Sequence, residues 1–207
     1  MNLRVFSAVA LCVFGLTCRN PFFPPTGIPV NLDVELPRST PQGIINQLID
    51  AYENRQIDLY EDLFPSDGSF KFFVAPLFAD AYKNRPGALS EPGDSLLQFV
   101  SQSELYYYWT QETEIESSTR LFVQAASIEF IKKPYIESIR KFVTEGDSAA
   151  ELRVGGGELT IGQYQDVSTV ILYTVYITNQ IFLLGKDDKG LWVIRKWYDF
   201  STETAIQ

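Results

Sequence analysis

The chain has 207 residues, with 26 acidic and 17 basic side chains and a net charge of −9, and it contains no histidine. This acidic balance repels phosphate backbones, so we expect no nucleic-acid partner. The lack of histidine excludes Ser-His-Asp and Cys-His catalysis and histidine-bound zinc, which leaves carboxylates, tyrosines, lysines and backbone groups. We therefore expect no cofactor and no bound metal.

Residues 1–17 are typical of a bacterial export signal. Met1 to Arg4 carries one positive charge, and the run from Val5 to Leu16 has no charged residue. This run matches the roughly 7–15 apolar residues of a secretory signal and is shorter than the about 20 residues of a membrane span. The motif Gly15-Leu16-Thr17-Cys18 resembles a bacterial lipobox with its leucine one position late. The resemblance implies that Cys18 is acylated, as in palmitate-bearing lipoproteins; an ordinary signal peptide is the alternative.

Residues 18–39 form a predicted tether between the membrane and the domain. Arg19 to Ser39 contain five prolines and no helical period, the composition of an extended linker. A stable lipid anchor needs more than one acyl chain, which a triacylated Cys18 would supply. Arg19 differs from the aspartate that retains lipoproteins in the inner membrane, so we expect the outer membrane, facing the periplasm, with the cell surface or secretion as alternatives. Cys12 would be lost with the signal, so the fold would have no disulfide.

The predicted domain covers residues 40–207 and begins with helices. Thr40 is a predicted N-cap, and Pro41 is the first helical residue. An apolar stripe at helical spacing follows, and a second short helix is predicted from Ile57 to Phe64. The run Ser69 to Ala75 is β-branched and aromatic enough to predict a strand. The stripe of the first helix consists of Ile44, Ile45, Leu48, Ile49 and Tyr52.

Residues 76–103 are a predicted insertion with breaks at Asn84–Gly87 and Glu91–Asp94. Helical patterning returns at Ser95–Phe99 and again at Ser103–Val123.

Two groups of side chains stand out on the predicted helix 103–123. The motif Tyr106-Tyr107-Tyr108-Trp109 would point in four directions on a helix, so we expect one part in the core and another part exposed or lining a pocket. Glu112, Glu114 and Glu116 alternate along the same helix, a spacing that favours a solvated face over a metal cluster.

The chain after Ala125 is predicted to form strands, since it is rich in Val, Ile, Tyr and Thr. Gly155-Gly156-Gly157 lacks the lysine and hydroxyl residue of a phosphate loop and predicts a bulge or tight bend. Asp187-Asp188 predicts a hairpin turn, with a calcium site as the lesser alternative. The predicted strands are Ile128–Lys132, Tyr135–Val143, Leu152–Ile161, Thr169–Leu184 and Leu191–Phe200, of which Thr169–Leu184 is long enough to require a twist, bend or bulge.

Helices followed by antiparallel strands predict an α+β domain whose sheet packs its apolar face on the helices. The segments that open and close this region, Thr40-Pro41, Ala51–Arg55, Ile57–Tyr60, Phe70–Phe72 and Gly190–Asp199, resemble those of nuclear transport factor 2-like domains, which are also called SnoaL-like or cystatin-like. The resemblance covers about residues 40 to 203. It implies a strongly curved, cone-shaped sheet wrapped around the first helix, a pocket inside it, and dimers formed through the convex face.

Two classes of function stay open. The first is a non-catalytic, membrane-anchored envelope lipoprotein whose pocket or surface binds a small apolar ligand or an envelope protein. The absence of His from the chain and of Cys from residues 40–207 favours it. The second is a cofactor-free isomerase or hydrolase that uses Asp or Glu with Tyr in the pocket. A buried acid beside a tyrosine hydroxyl, in a cavity of roughly 300 Å³ or more, would favour this second class.

The candidate pocket residues are Tyr52, Tyr60, Tyr108 and Trp109. The resemblance adds Asp58 and Asp199 as acids, because isomerases of that family use an Asp base with a tyrosine and a protonated acid. An aspartate near a helix start is more often a cap, which is the simpler interpretation of Asp58.

Overall fold

The computed structural model describes residues 37–74, 76–84, 87–92, 105–144, 147–164, 170–200 and 202–206. Cys18 and the predicted signal lie outside the described residues, as do most of the tether and the predicted helix Ser95–Phe99. Among the helices of the described part, none combines the length and the apolarity that a membrane crossing requires.

Helices precede most of the strands along the chain, and the predicted α+β architecture is confirmed. The described helices are α1 (Pro41–Asn54), α2 (Ile57–Glu61), α3 (Pro76–Lys83) and α4 (Gln111–Gln124). The described strands are β1 (Lys71–Phe73), β2 (Leu89–Glu91), β3 (Tyr106–Thr110), β4 (Ala125–Lys132), β5 (Tyr135–Thr144), β6 (Asp147–Gly155), β7 (Gly157–Tyr164), β8 (Val170–Ile177), β9 (Gln180–Lys186), β10 (Trp192–Asp199) and β11 (Thr202–Ile206).

Helix α1 begins where the sequence predicts it. Thr40 has an extended backbone, and its Oγ1 accepts a 3.2 Å hydrogen bond from the N–H of Gly43, so it caps the helix. Pro41 occupies the first turn, where a missing N–H costs nothing. Arg55 ends the helix in the left-handed conformation, with φ of 52°. Four residues of the predicted apolar stripe are buried, namely Ile44, Ile45, Leu48 and Ile49, and its fifth residue, Tyr52, is half-buried.

The strands form two sheets that meet at a shared bend. The seven-stranded sheet has the order β2-β3-β1-β10-β9-β6-β5, and the four-stranded sheet has the order β11-β8-β7-β4. The chain passes from one sheet to the other through short breaks at Lys133-Pro134, Gly156 and Thr178-Asn179. These breaks lie side by side, because Gly155 pairs with Tyr135 while Gly157 pairs with Ile177. The bend makes the sheet strongly curved, as predicted.

The bend divides two of the predicted strands. The continuous strands predicted at Leu152–Ile161 and Thr169–Leu184 are therefore wrong as single elements, although a bend in the second was expected. Gly156 has φ of 66°, which confirms the tight bend at the three glycines. A side chain at Gly156 would overlap the ring of Tyr135.

Strand β1 makes the sheet mixed rather than purely antiparallel. It pairs antiparallel with β3 and parallel with β10, so that Phe72 lies between Trp109 and Trp197. A three-residue strand thus joins the middle of the chain to its last long strand. All other strand pairs of the described residues are antiparallel, so the predicted antiparallel sheet is confirmed apart from this one pair.

The helix predicted from Ser103 begins only at Gln111, because Tyr106–Thr110 is strand β3. Four aromatic residues in a row fit a pleated surface well, and pairing with β1 and β2 satisfies their backbone groups. Side chains alternate along a strand, so Tyr108 and Trp109 point to opposite faces of the sheet rather than in helical directions.

The end of helix α2 differs from its predicted position, whereas the turn between β9 and β10 agrees with the prediction. Helix α2 ends at Glu61 rather than at Phe64, although Phe64 is buried. The turn between β9 and β10 is confirmed, since Oδ1 of Asp187 accepts hydrogen bonds from the N–H groups of Lys189 (2.9 Å) and Leu191 (2.8 Å).

Both faces of the seven-stranded sheet bury side chains. The larger core lies between the helices and the concave faces of the strands, and it contains Ile44, Leu63 and Leu152. A smaller cluster on the opposite face consists of Phe73, Tyr106, Ile181, Leu183 and Tyr198. The strands near β10 are therefore held from two sides, which makes them a firm support for the site described next.

Candidate functional site

A cavity of about 270 Å³ lies between helices α1 and α4 and the inner faces of both sheets. This volume is close to the lower end of the roughly 300–1,000 Å³ of small-molecule sites. Apolar side chains dominate the lining, and polar groups are few. The lining residues are Ile45, Leu48, Ile49, Tyr52, Phe72, Trp109, Glu114, Ser117, Ser118, Leu121, Phe130, Pro134, Val154, Leu159, Ile161, Val175, Ile177, Gln180, Phe182, Trp197 and Asp199.

Stacked rings form one wall of this cavity. The rings of Phe72 and Trp109 lie flat against each other, with centroids 4.5 Å apart and an angle of 2° between planes. The ring centroid of Trp197 lies 5.0 Å from that of Phe72 and 4.9 Å from that of Phe182. These contacts extend the wall across β1, β10 and β9. The register of four strands, β3, β1, β10 and β9, produces this wall, because Trp109, Phe72, Trp197 and Phe182 are neighbours across the sheet.

Glu114 is the centre of the polar end of the cavity. It lies in the first turn of α4 and is only 5% exposed. Its Oε1 accepts hydrogen bonds from the hydroxyls of Tyr60 (2.5 Å) and Ser118 (3.2 Å), and its Oε2 accepts one from Nε1 of Trp109 (2.6 Å). Three donors from three different elements therefore hold one carboxyl group in a fixed orientation.

Two tyrosines pack beside this carboxyl group. The ring of Tyr52 from α1 meets the ring of Tyr60 edge-on at 5.6 Å and that of Phe122 at 5.2 Å. The pKa of both tyrosine hydroxyls is raised well above the ordinary value. Burial is the main cause, and the neighbouring carboxyl group of Glu114 is the second. Both hydroxyls are therefore neutral at physiological pH and serve as hydrogen-bonding groups.

Burial also raises the pKa of Glu114. The hydrogen bonds from Tyr60, Trp109 and Ser118 favour the ionised form and oppose this effect, while the charge of Asp199 adds to it. The net direction is upward, so this carboxyl group holds a proton to higher pH than an exposed glutamate does.

Asp199 and Gln180 occupy the end of the cavity at the sheet bend. Asp199 is the last residue of β10 and pairs in register with Gln180, the first residue of β9. The side-chain Nε2 of Gln180 donates a 3.2 Å hydrogen bond to Oδ1 of Asp199. The bend thus places an acid and an amide at the edge of an apolar space.

The structure brings together some of the residues singled out from the sequence and separates others. Tyr52 and Trp109 line the cavity, and Asp199 lines it with them. Tyr60 is fully buried behind the lining and reaches the site through Glu114. Tyr108 lies on the opposite face of β3, with its ring 5.4 Å from Phe73. Asp58 is exposed in the first turn of α2 and does not line the cavity.

Sequence reasoning missed Glu114 and Ser118. The predicted solvated face of Glu112, Glu114 and Glu116 is wrong at Glu114, which is buried, while the other two are exposed. A usable signal was present, because Glu114, Ser118 and Phe122 recur at a spacing of four residues and share one helical face. In this helix the glutamate that lies in line with the buried Phe122 is the buried one.

The described residues contain no group of three or more His, Cys, Asp or Glu side chains placed to hold a metal ion. Neutral hydrogen-bond donors, one buried carboxyl group and one carboxyl group at the bend are the chemical groups that the site provides. Such a set can orient a polar group of a ligand, and it can transfer a proton.

No family model matches the sequence, and no curated protein matches it. A solved structure of a conserved protein from Planctomyces limnophilus DSM 3776 has a TM-score of 0.51 with 10% identity, over 79% of this chain and 94% of that chain. This similarity shows a shared fold.

Two further solved structures are similar at lower scores. A ketosteroid isomerase-like protein from Erwinia carotovora atroseptica SCRI1043 has a TM-score of 0.42 and 13% identity, over 80% of this chain and 93% of that one. A protein of the NTF2-like family from Streptomyces avermitilis has a TM-score of 0.40 and 13% identity, over 84% and 98%.

Proposed function

We propose that the chain is a nuclear transport factor 2-like domain that binds a small, mainly apolar molecule in its cavity without changing it chemically. The observation that carries the proposal is the cavity of about 270 Å³, whose apolar walls end in a few oriented polar groups. Sites of this composition take up the apolar body of a ligand and use the polar groups to fix its orientation.

The rigidity of the walls supports binding as the role of the cavity. The wall of stacked rings (the ring wall) is held in place by the stacking of Trp109 on Phe72. The polar end is held in place by the three hydrogen bonds that Glu114 accepts. A cavity that keeps its shape without a ligand loses little entropy when one binds. The structure therefore favours a preformed binding site over a loosely packed core.

Ligand titration with a cavity-filling variant tests this function. Trp109 and Trp197 line the cavity, so their fluorescence reports binding of small apolar compounds that each carry one polar group. Val175→Phe fills the cavity from β8. Val170→Phe makes the same change on the same strand, at a side chain that is 43% exposed and points to the other face.

The proposal is supported if a compound binds saturably to the wild-type protein, if its affinity falls at least about tenfold in Val175→Phe, and if its affinity is unchanged in Val170→Phe. Equal effects of the two variants would place the binding elsewhere. A complete lack of binding by the wild-type protein, measured across the whole set of compounds, would reject the small-molecule role and leave an envelope protein as the partner to seek.

We also propose that Cys18 anchors this domain to the outer membrane, on the periplasmic side. The uncharged run Val5–Leu16 and the proline-rich stretch that follows Cys18 support this proposal. Intact mass of the protein from native membranes tests it, with Cys18→Ser as the test variant and Cys12→Ser as the matched control. We expect the wild-type chain to start at Cys18 and to carry acyl groups, and we expect the protein to become soluble in Cys18→Ser but not in Cys12→Ser. A cleaved wild-type chain without acyl groups would contradict the proposal.

A second candidate function is a cofactor-free isomerase or hydrolase. The observation in its favour is that Asp199 and the buried acid Glu114 belong to the same cavity and differ in environment. Two acids with different surroundings can act as base and acid in one reaction. Exchange of carbonyl-adjacent protons of small ketones in deuterated water, followed by NMR, tests this chemistry. Exchange above the rate in buffer that is lost in Asp199→Asn would support catalysis, and exchange at the buffer rate would reject it for this class of reaction.

A further inference from the structure

Two indole groups of the cavity wall differ in their hydrogen bonding. Trp109 and Trp197 both line the cavity, and each side chain has one donor, the N–H group at Nε1. Nε1 of Trp109 donates to Oε2 of Glu114 at 2.6 Å. Nε1 of Trp197 is buried and has no hydrogen-bond acceptor among the described residues. The wall therefore contains one donor that the described part of the protein does not use.

A buried donor without an acceptor is uncommon in folded proteins. Folding removes the N–H group from water, and a donor that then meets no acceptor raises the free energy of the folded state. Most buried polar groups are therefore hydrogen-bonded, and each exception calls for an explanation. Trp197 is only 4% exposed, so its N–H group has no access to bulk water. An acceptor atom on a bound ligand explains this donor, because the indole ring borders the cavity.

Other donors of the cavity wall already have acceptors in the protein. The hydroxyl of Ser118 donates to Oε1 of Glu114, and Nε2 of Gln180 donates to Oδ1 of Asp199. A ligand acceptor would have to replace a carboxyl oxygen at either of these donors. At Trp197 it replaces no described acceptor, so the full gain of a new hydrogen bond goes into binding.

The ring contacts of Trp197 differ from those of Trp109. The ring of Trp109 lies flat on Phe72, at 2° between planes, and its N–H group is held by Glu114. The plane of Trp197 is tilted by 54° from that of Phe72 and by 43° from that of Phe182, so neither neighbour holds it in a flat stack. The space into which the Trp197 ring can turn is the cavity that it borders.

We propose that the ligand carries an uncharged acceptor oxygen, of a carbonyl or an ether group, which accepts a hydrogen bond from Nε1 of Trp197 after a small turn of the indole ring toward the cavity. This inference rests on the proposed function and names the class of its ligand. The apolar body of the ligand lies against the aliphatic part of the wall, which includes Leu159, Ile161 and Val175.

The surroundings of the cavity favour an uncharged oxygen without a proton of its own. Moving an ionised carboxylate from water into an apolar space costs far more than one hydrogen bond returns, and the described lining residues include no Lys or Arg to offset this cost. A hydroxyl group would bring a donor that needs an acceptor in turn. Carbonyl and ether oxygens accept a hydrogen bond and bring no donor.

Matched pairs of compounds test the inference. One member of each pair has the acceptor oxygen, and the other has a carbon group of similar size in its place. The first pair is benzylacetone and its analogue with a methylidene group instead of the carbonyl oxygen; the second is phenylbutyl methyl ether and hexylbenzene. NMR titration gives the dissociation constants for the wild-type protein, for Trp197→Phe and for Trp192→Phe. Trp192 is buried on the same strand and does not line the cavity, so Trp192→Phe is the matched control.

We expect Trp197→Phe to weaken the oxygen-containing member of each pair by at least about fivefold relative to its carbon analogue. The ratio of the two affinities should stay at the wild-type value in Trp192→Phe. Comparing one pair across the three proteins cancels the different hydration of its two members, because that hydration is the same in every titration.

The indole N–H signals of the wild-type protein give a second measurement. The chain has three tryptophans, and the signal that is missing from Trp197→Phe identifies that of Trp197. The oxygen-containing compounds should move this proton signal farther downfield than their carbon analogues do, since a new hydrogen bond deshields the proton. The Trp192 signal should respond equally to both members of a pair.

The outcomes separate the two proposals. An affinity ratio that is unchanged in Trp197→Phe, or a Trp197 signal that both members of a pair move alike, would overturn the acceptor inference and leave the small-molecule function intact. If no compound of either pair binds, both the function and the inference fail.

Discussion

The hydroxyl of Tyr60 lies 2.5 Å from Oε1 of Glu114, and this hydrogen bond joins helix α2 to helix α4 inside the core. Both side chains are buried, so neither can exchange its partner for water when the other is removed. The stability of the domain is therefore tied to the same carboxyl group that forms the polar end of the cavity.

Glu114→Ala should lower the free energy of unfolding by about 3 kcal/mol, because it leaves the buried donors of Tyr60 and Trp109 without an acceptor. Glu114→Gln keeps an oxygen and the side-chain shape, and it should cost about 1 kcal/mol. Chemical denaturation measures both values. Glu116→Gln, on the exposed side of the same helix, is the control and should stay within about 0.5 kcal/mol of wild type. Equal costs for the Ala and Gln variants would contradict this account.

The pKa of Glu114 predicts how stability changes with pH. Because the pKa is raised in the folded protein, the folded state keeps this proton at pH values where the unfolded chain has lost it. The stabilising contribution is complete below the ordinary pKa of 4.5 and is lost as pH rises from there through the raised pKa. The stability of wild type minus that of Glu114→Gln should therefore fall as pH rises above about 4.5.

Taking the difference between the two proteins removes the contributions of other titrating groups, which are the same in both. Glu91 is one such group: partial burial raises its pKa, but hydrogen bonds from Lys71 and Lys196 lower it, and the net shift is downward. Urea denaturation of both proteins at a series of pH values gives the difference directly. A difference that grows with pH would mean that the folded protein lowers the pKa of Glu114.

The N-cap of helix α1 gives a third prediction. Thr40→Ala removes the oxygen that accepts the N–H of Gly43, and it should cost about 1 kcal/mol of unfolding free energy. Thr40→Ser keeps this oxygen and should cost much less. Thermal unfolding of the two variants compares them directly, and equal losses would show that the methyl group of Thr40, rather than its hydroxyl, stabilises the helix start.

The bend of the sheet gives a fourth prediction. Gly156 and Gly190 both have positive φ, 66° and 75°, so an alanine at either position is strained by roughly 1 kcal/mol. A side chain at Gly156 also overlaps the ring of Tyr135, whereas nothing lies within 4 Å of one at Gly190. Gly156→Ala should therefore be clearly more destabilising than Gly190→Ala.

Combining Gly156→Ala with Tyr135→Ala should bring the cost of the glycine change down to that of Gly190→Ala, since the overlap is then gone. Unfolding free energies of the two single variants, the double variant and Gly190→Ala form the complete comparison. If the cost at Gly156 is independent of residue 135, the steric account of the bend is wrong.

Local chemistry explains which parts of this fold were predictable from the sequence. Thr40 and Pro41 mark the start of α1 because capping depends on residues three apart. The turn at Asp187 and the bend at Gly156 are likewise governed by backbone preferences of a few residues. For such elements the sequence itself contains the determining interactions.

Long-range pairing explains what could not be predicted. The aromatic run that ends at Trp109 is apolar enough for either a helix or a strand, and it becomes a strand because Lys71–Phe73 pairs with it. Glu114 is buried because Tyr60, 54 residues earlier, supplies a hydrogen bond. The cavity lining was found only in part for the same reason, since Tyr52, Trp109 and Asp199 come from three separate elements.

The parallel pairing of β1 with β10 sets the order in which the molecule can be assembled during its synthesis. Phe72 is synthesised long before its partner Trp197. The ring wall, and with it the proposed binding site, therefore cannot form until Trp197 has been synthesised. Contacts between such distant residues also slow folding, so the newly made protein passes through a period in which its apolar interior is open to water.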